Sequence, residues 1–266
     1  MQIADLGNVQ LHYRIDGDSD GAPVVFANAL GTDLHIWDAV LPLLPEGLRF
    51  IRYDTRGHGR SSVPAAPYSM GALVRDAEML LDHLNVRDCV FVGLSLGGMI
   101  AQGLAVKRLD QVRALVLSNT AAKIGTAKMW QERVDAINSN GIASLAEAEM
   151  GRWFSPNFRA RPELALWRSR LLQQPEAGYA GCCAAIAGTD FYTPTSGLRL
   201  PVLGIAGDRD AATPPDLVRE TIELVPGAQF QLIRKAGHLA CVEQPEAFAK
   251  VLGAFIHDIG HPSGTA

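Results

Sequence analysis

Cys89-Val-Phe-Val-Gly-Leu-Ser-Leu-Gly-Gly-Met-Ile100 decides the fold. Its first four residues, Cys89 to Val92, form a short apolar run that reads as a buried strand, and from Leu96 to Lys107 the apolar residues recur at helical spacing. Between them lies Gly93-Leu94-Ser95-Leu96-Gly97. A strand that passes into a helix through so tight a turn forces the central residue into a strained backbone conformation and leaves its side chain exposed. Side chains two residues before and after would block the turn, which is the steric reason for both glycines. Ser95 is therefore the candidate nucleophile. Leu96 opens the helix, so its backbone N-H has no acceptor inside it and lies at the positive end of the helix dipole. That N-H is the expected first donor to an oxygen gaining negative charge.

Outward from this turn, strands alternate with helices. Leu11 to Ile15, Val24 to Ala27, Phe50 to Tyr53 and Ala114 to Leu117 read as further strands, and Ile36 to Leu44 and Met70 to Leu84 as helices. Alternation of this kind predicts an α/β fold, a mostly parallel central sheet with helices on both faces. Past residue 120 the strand runs stop. Trp130, Trp153 and Trp167 appear among Ala, Glu and Arg in helix-like patterns broken near Pro156, Pro162 and Pro175. The predicted organisation is a core domain of residues 1–120 and 199–266, with a helical cap, 121–198, inserted in it. The core resumes with Val202 to Ala206, Pro215 to Leu224, Phe230 to Ile233 and Pro245 to Ile256, and a polar tail, His261 to Ala266, is expected to fray.

Composition narrows the function. The 266 residues are 48% hydrophobic and 20% charged, with a net charge of −4, so there is no electrostatic reason to bind nucleic acid or an anionic membrane. No stretch approaches the ~18 apolar residues of a membrane span, and Met1 to Val9 lacks the pattern of a secretory signal. A cytoplasmic protein acting on a small molecule, as a monomer or small homo-oligomer, is the expectation. Four cysteines, Cys89, Cys182, Cys183 and Cys241, are irregularly spaced, which predicts reduced thiols, and no zinc-type spacing occurs.

A serine hydroxyl needs a neighbouring base. Of seven histidines, His238 is favoured because it follows the strand Phe230 to Ile233, and loops after strand ends collect reactive groups in such a sheet. His12 falls in a strand, His83 on a helix, and His257 and His261 near the tail. His58, in Asp54-Thr-Arg-Gly-His-Gly-Arg60, reads as part of a structural turn, and His35 as a supporting substrate contact. The orienting acid is expected between Ser95 and His238 in the chain. Gly207-Asp208-Arg209-Asp210 offers two aspartates, and residues two apart in extended chain face the same way, so local geometry leaves both open. A second backbone donor is expected from the loop Asn28-Ala-Leu-Gly-Thr-Asp33, at Leu30.

Taken together, Asn28-Ala-Leu-Gly-Thr-Asp-Leu-His-Ile-Trp37, Asp54-Thr-Arg-Gly-His-Gly-Arg-Ser61, Gly93-Leu-Ser-Leu-Gly-Gly98 and Ala206-Gly-Asp-Arg-Asp-Ala-Ala-Thr-Pro-Pro215 resemble the alpha/beta-hydrolase superfamily along the whole chain. Within it, Arg152-Trp-Phe-Ser-Pro-Asn-Phe158 and Gly178-Tyr-Ala-Gly-Cys-Cys-Ala-Ala-Ile186 of the cap look most like 3-oxoadipate enol-lactone hydrolases of the β-ketoadipate pathway. Gly188-Thr-Asp190 departs from the Asp-rich continuation of those enzymes. The resemblance places the catalytic acid on Asp210. It implies a carboxylated five-membered enol-lactone as substrate, a serine acyl-enzyme, and no metal or organic cofactor. Arg133 would then grip the substrate carboxylate, because an unpaired buried charge is costly, with Trp130 and Trp153 shaping the pocket. A general carboxylesterase or lactonase, or a metal-free perhydrolase, would share the same triad. A ligand receptor built on the same scaffold is the non-enzymatic alternative.

Overall fold

The computed structural model describes residues 2–261. Eight strands form one sheet: β1 (Gln2–Asp5), β2 (Gln10–Gly17), β3 (Ala22–Ala27), β4 (Leu48–Tyr53), β5 (Cys89–Leu94), β6 (Val112–Ser118), β7 (Val202–Gly207) and β8 (Gln229–Ile233). Their spatial order is β1-β2-β4-β3-β5-β6-β7-β8. β2 pairs antiparallel with both of its neighbours, and every pair from β4 to β8 is parallel. Strands β5 and β7 are buried along their full length, as expected of strands covered on both faces.

The helices are α1 (Met70–His83), α2 (Leu96–Lys107), α3 (Ala127–Asn140), α4 (Ala146–Trp153), α5 (Pro156–Arg159), α6 (Leu164–Leu172), α7 (Glu176–Ala187), α8 (Tyr192–Ser196), α9 (Pro215–Glu223), α10 (Ala240–Glu243) and α11 (Pro245–Asp258). Helices flank the sheet, with α2 packed on β5 and β6 and α9 on β7. β6 and β7 are neighbours in the sheet although α3 to α8 lie between them in the chain, so those helices form an inserted cap. Within the cap, α3 packs on α7 and α4 on α6.

Most strands and helices lie where the sequence pattern puts them, with ends displaced by at most two residues. Three features differ. β1 was not foreseen; with only four residues and one buried, it has almost no alternation to read. Ile36 to Leu44 is not one helix but two single 3-10 turns, Leu34–Trp37 and Leu41–Leu43, because Pro42 has no N-H to donate and its ring blocks a continuous helix. In the expected frayed tail, His261 is buried with Nε2 3.1 Å from the Pro23 carbonyl oxygen, while 262–266 lie outside the described residues. All four cysteines are buried and unbonded to one another. Among the described residues, no helix is long and apolar enough to cross a membrane.

Candidate active site

Parallel strands deliver their following loops to one edge of the sheet, where the loops after β3, β4, β5, β6, β7 and β8 gather. Ser95 sits between β5 and α2 with φ 57° and ψ −113°, the strained conformation foreseen for the turn. Such a residue costs about 1–3 kcal/mol and persists only where its surroundings hold it. Here the Ser95 N-H donates to the Ser118 carbonyl at 3.0 Å, and the Thr120 hydroxyl donates to the Ser95 carbonyl at 2.6 Å. The flanking glycines are required by contact. A Cβ on Gly93 would lie 2.3 Å from the Gly97 carbonyl oxygen, and one on Gly97 2.2 Å from that of Ala27. This second approach, with the Gly97 N-H donating to the Asn28 carbonyl at 3.0 Å, seats the elbow against the loop that carries Leu30.

His238 and Asp210 meet across the loops after β8 and β7, with Nδ1 2.9 Å from Oδ2. The same Oδ2 accepts from the Thr213 hydroxyl and the Asn119 side-chain amide, each at 2.8 Å, while Oδ1 accepts the N-H groups of Ala212 and Thr213 at 2.7 and 3.0 Å. Burial opposes the charge on Asp210, but the imidazole and these donors outweigh it and hold the carboxyl below its ordinary pKa. An acid so held accepts from His238 Nδ1-H, which leaves Nε2 as the free acceptor. Asp208 faces elsewhere: it is half-buried, and its Oδ1 accepts the Ala236 N-H at 3.3 Å. The choice that local geometry left open between the two aspartates is made by the turn that follows β7, which aims only Asp210 at the imidazole.

Ser95 and His238 line one cavity of about 150 Å³, together with Leu30, Thr213, Trp130 and Trp153. Leu96 begins α2, directly after the serine. Arg133 also lines this cavity, only 10% exposed, and is held by three neighbours. Its Nη1 lies 2.9 Å from Glu149 Oε1 and 3.2 Å from the Tyr179 hydroxyl, and its guanidinium lies 5.0 Å from the centre of the Trp130 ring. Arg152 reaches the same Glu149 oxygen at 3.1 Å from a more exposed position. Burial pushes the Glu149 carboxyl up, against the pull of Arg133 and His238. Trp167 lies apart in the cap core, its ring 6.3 Å from that of Phe154.

His35 is the sequence-derived candidate that the fold does not bring in. Its Nδ1 lies 2.9 Å from Asp33 Oδ1 and the side chain borders two other surface cavities, because the 3-10 turn after Asp33 points it away from Ser95. Conversely, Asn119, Thr213, Glu149, Arg152 and Glu243 were missed as members of the site. Thr213 was legible within Asp-x-x-Thr-Pro-Pro, and Glu149 and Arg152 carry only the i,i+3 spacing of a helical ion pair; Asn119 and Glu243 carry no local signal. Glu243, buried in α10, accepts from the Gly237 N-H at 2.7 Å, from the Ser155 N-H at 3.1 Å and from the Ser155 hydroxyl at 2.5 Å. It thereby fastens the cap to the residue beside His238.

Comparison with known proteins places the fold in a family. The alpha/beta hydrolase fold family matches residues 22–245. A 3-oxoadipate enol-lactonase of Acinetobacter baylyi is 37% identical over 243 residues, 91% of each chain. The crystal structure of the enol-lactonase from Burkholderia xenovorans superposes with a TM-score of 0.93 at 35% identity, covering 96% of this chain and 100% of that one. A hydrolase from Pseudomonas aeruginosa superposes with a TM-score of 0.89 at 38% identity, over 93% and 94% of the two chains. With elbow, cap and relatives in agreement, this chain belongs to the alpha/beta-hydrolase superfamily, has its esterase–lactonase chemistry, and is closely related to the 3-oxoadipate enol-lactonases.

Proposed function

We propose that this protein opens a small carboxylated enol-lactone of the 3-oxoadipate enol-lactone kind, with Ser95 as nucleophile, His238 as base and Asp210 as the acid that orients it. The observation that carries the reading is a cavity lined by Ser95 and His238 from the core and, from the cap, by two guanidiniums, Arg133 and Arg152, against one carboxylate, Glu149. That balance leaves positive charge for one substrate carboxylate. A cavity of about 150 Å³ is also well below the ~300 Å³ at which drug-sized pockets begin, so the occupant is small.

In this mechanism the Ser95 hydroxyl oxygen bonds to the lactone carbonyl carbon as its proton passes to His238 Nε2. The oxyanion is taken by the backbone N-H groups of Leu30 and Leu96, and each such donor typically contributes about 2.7–4 kcal/mol at the transition state. Collapse breaks the ring C–O bond. The leaving enolate oxygen takes the proton from His238, and the enol becomes a ketone. One water, deprotonated by His238, then attacks the acyl carbon and releases the dicarboxylate product with Ser95 restored. Trp130 and Trp153 wall the ring, and the Arg133–Arg152 side holds the carboxylate arm. No cofactor enters these steps.

The test is loss of enol-lactone absorbance on adding enzyme, run beside p-nitrophenyl esters that lack a carboxylate. A kcat/KM for the lactone well above that for the esters supports the reading; the reverse order assigns the protein to the general esterases. Labelling of Ser95 by a fluorophosphonate distinguishes either enzyme from a ligand receptor, whose Ser95 would stay unmodified.

A further inference from the structure

One histidine outside the triad is buried against the oxyanion loop. His58 is 1% exposed, and its Nε2 accepts the Gly31 backbone N-H at 2.9 Å. An imidazole nitrogen that accepts is unprotonated, so the ring proton sits on Nδ1, which faces the Arg56 carbonyl oxygen at 3.3 Å. Gly31 follows Leu30, the residue whose N-H is assigned to the substrate oxyanion. We propose that His58 is a positioning residue for the oxyanion hole: its neutral imidazole holds the Leu30–Gly31 peptide at the height where the Leu30 N-H meets the developing charge. This rests on the hydrolase reading above.

Several contacts show that the peptide is held and not merely covered. From the cap side, Tyr179, Leu171 and Trp153 pack directly on Gly31, so the loop is pressed between the cap and the imidazole. Its ends are fixed independently: the Asn28 carbonyl accepts from the Gly97 N-H, and the Leu34 N-H donates to Asp54 Oδ1 at 2.8 Å. Within the loop the Thr32 N-H and hydroxyl donate to the Ala29 carbonyl at 3.2 and 2.7 Å, and His58 ties the Gly31 N-H of that turn to the loop after β4. Its surroundings preserve the neutral form. Burial lowers its pKa below the ordinary histidine value, against the Arg56 carbonyl and the more distant Asp54 and Asp33. Cys182 Sγ lies 3.9 Å from Nδ1, and the Tyr179 ring is centred 6.3 Å away. Protonation would turn Nε2 into a donor facing another donor, and the loop would lose this tie.

The test uses two amides that each copy half of the imidazole. His58→Asn can keep the donor toward Arg56 but is too short to reach Gly31, whereas His58→Gln can present its amide oxygen where Nε2 stood. With p-nitrophenyl acetate as substrate, His58→Asn is expected to lose about 10²-fold in kcat with KM little changed, as for a displaced oxyanion donor. His58→Gln should recover most of that loss. Affinity for a boronic acid, which forms a tetrahedral anion on the serine, should fall in parallel with kcat. Equal kcat in the two variants at matched thermal stability, or a change confined to KM, overturns the assignment. Should His58→Asn fail to fold, His58→Gln decides alone: a kcat loss as large as about 10²-fold, with the acceptor restored, is the overturning result. A wild-type protein that neither turns over the ester nor is labelled at Ser95 would instead refute the hydrolase reading itself.

Discussion

Replacing Asp210 and Asp208 in turn by asparagine makes two near-isosteric changes two residues apart, with very different expected outcomes. At position 210 the orientation of the new amide is dictated. The Oδ1 site receives two backbone N-H groups, from Ala212 and Thr213, so the amide oxygen must occupy it. The NH2 group then falls at the Oδ2 site, 2.9 Å from His238 Nδ1 and 2.8 Å from the Asn119 amide, where donors already converge. The imidazole can relieve this only by moving its proton to Nε2 and accepting through Nδ1. Nε2 then carries a hydrogen toward Ser95 and can no longer take its proton. Loss of the orienting acid in this way costs about 10⁴ in kcat, or roughly 5.4 kcal/mol at 1.36 kcal/mol per decade. Asp208 accepts one N-H at 3.3 Å, a bond that asparagine can keep, so its variant should stay within about twofold of wild type. Initial rates on p-nitrophenyl acetate, with thermal melts to confirm folding, read both outcomes. An Asp208→Asn enzyme losing several decades while Asp210→Asn loses less than about tenfold would refute the reasoning.

Other expectations follow from the same contacts. Arg133→Ala removes a charge-assisted partner of about 1.5–3 kcal/mol, so KM for the carboxylated lactone should rise roughly 10- to 150-fold with little change for p-nitrophenyl acetate; an unchanged lactone KM in a folded variant excludes Arg133 as the anchor. Glu243→Ala leaves the Gly237 and Ser155 N-H groups and the Ser155 hydroxyl without their acceptor, at about 1–3 kcal/mol per buried unpaired donor, offset in part by relief of a buried charge whose carboxyl is pushed up. Urea unfolding should show a net loss of about 2–4 kcal/mol together with lower kcat, and wild-type values for both would show that the cap is fastened elsewhere. Asp210 is held below its ordinary 3.8 in the folded protein, so its ionisation adds stability that is complete above that value and lost as pH falls through the folded pKa. The stability gap between wild type and Asp210→Asn should therefore close on acidification, and a gap constant with pH would contradict the held charge.

The order of strands and helices was open to sequence reading because it rests on local periodicity, and the elbow because so tight a turn tolerates few residue types. That Ser95 and His238 would face one cavity was legible from their places after β5 and β8, since a parallel sheet sends those loops to one edge. A helix over Ile36 to Leu44 was misread because apolar spacing outweighed Pro42, and β1 was too short to show a period. Only the tertiary structure decided the rest. It aimed Asp210 at His238 and left Asp208 on the Ala236 N-H, a distinction made by turn geometry that two neighbouring aspartates do not encode. It turned His35 away from Ser95, brought Arg133 of α3 to Glu149 of α4, and brought Glu243 to Ser155 from 88 positions along the chain. Side-chain periodicity is a property of a few consecutive residues, whereas the partner of a buried charge is whatever folding carries to it.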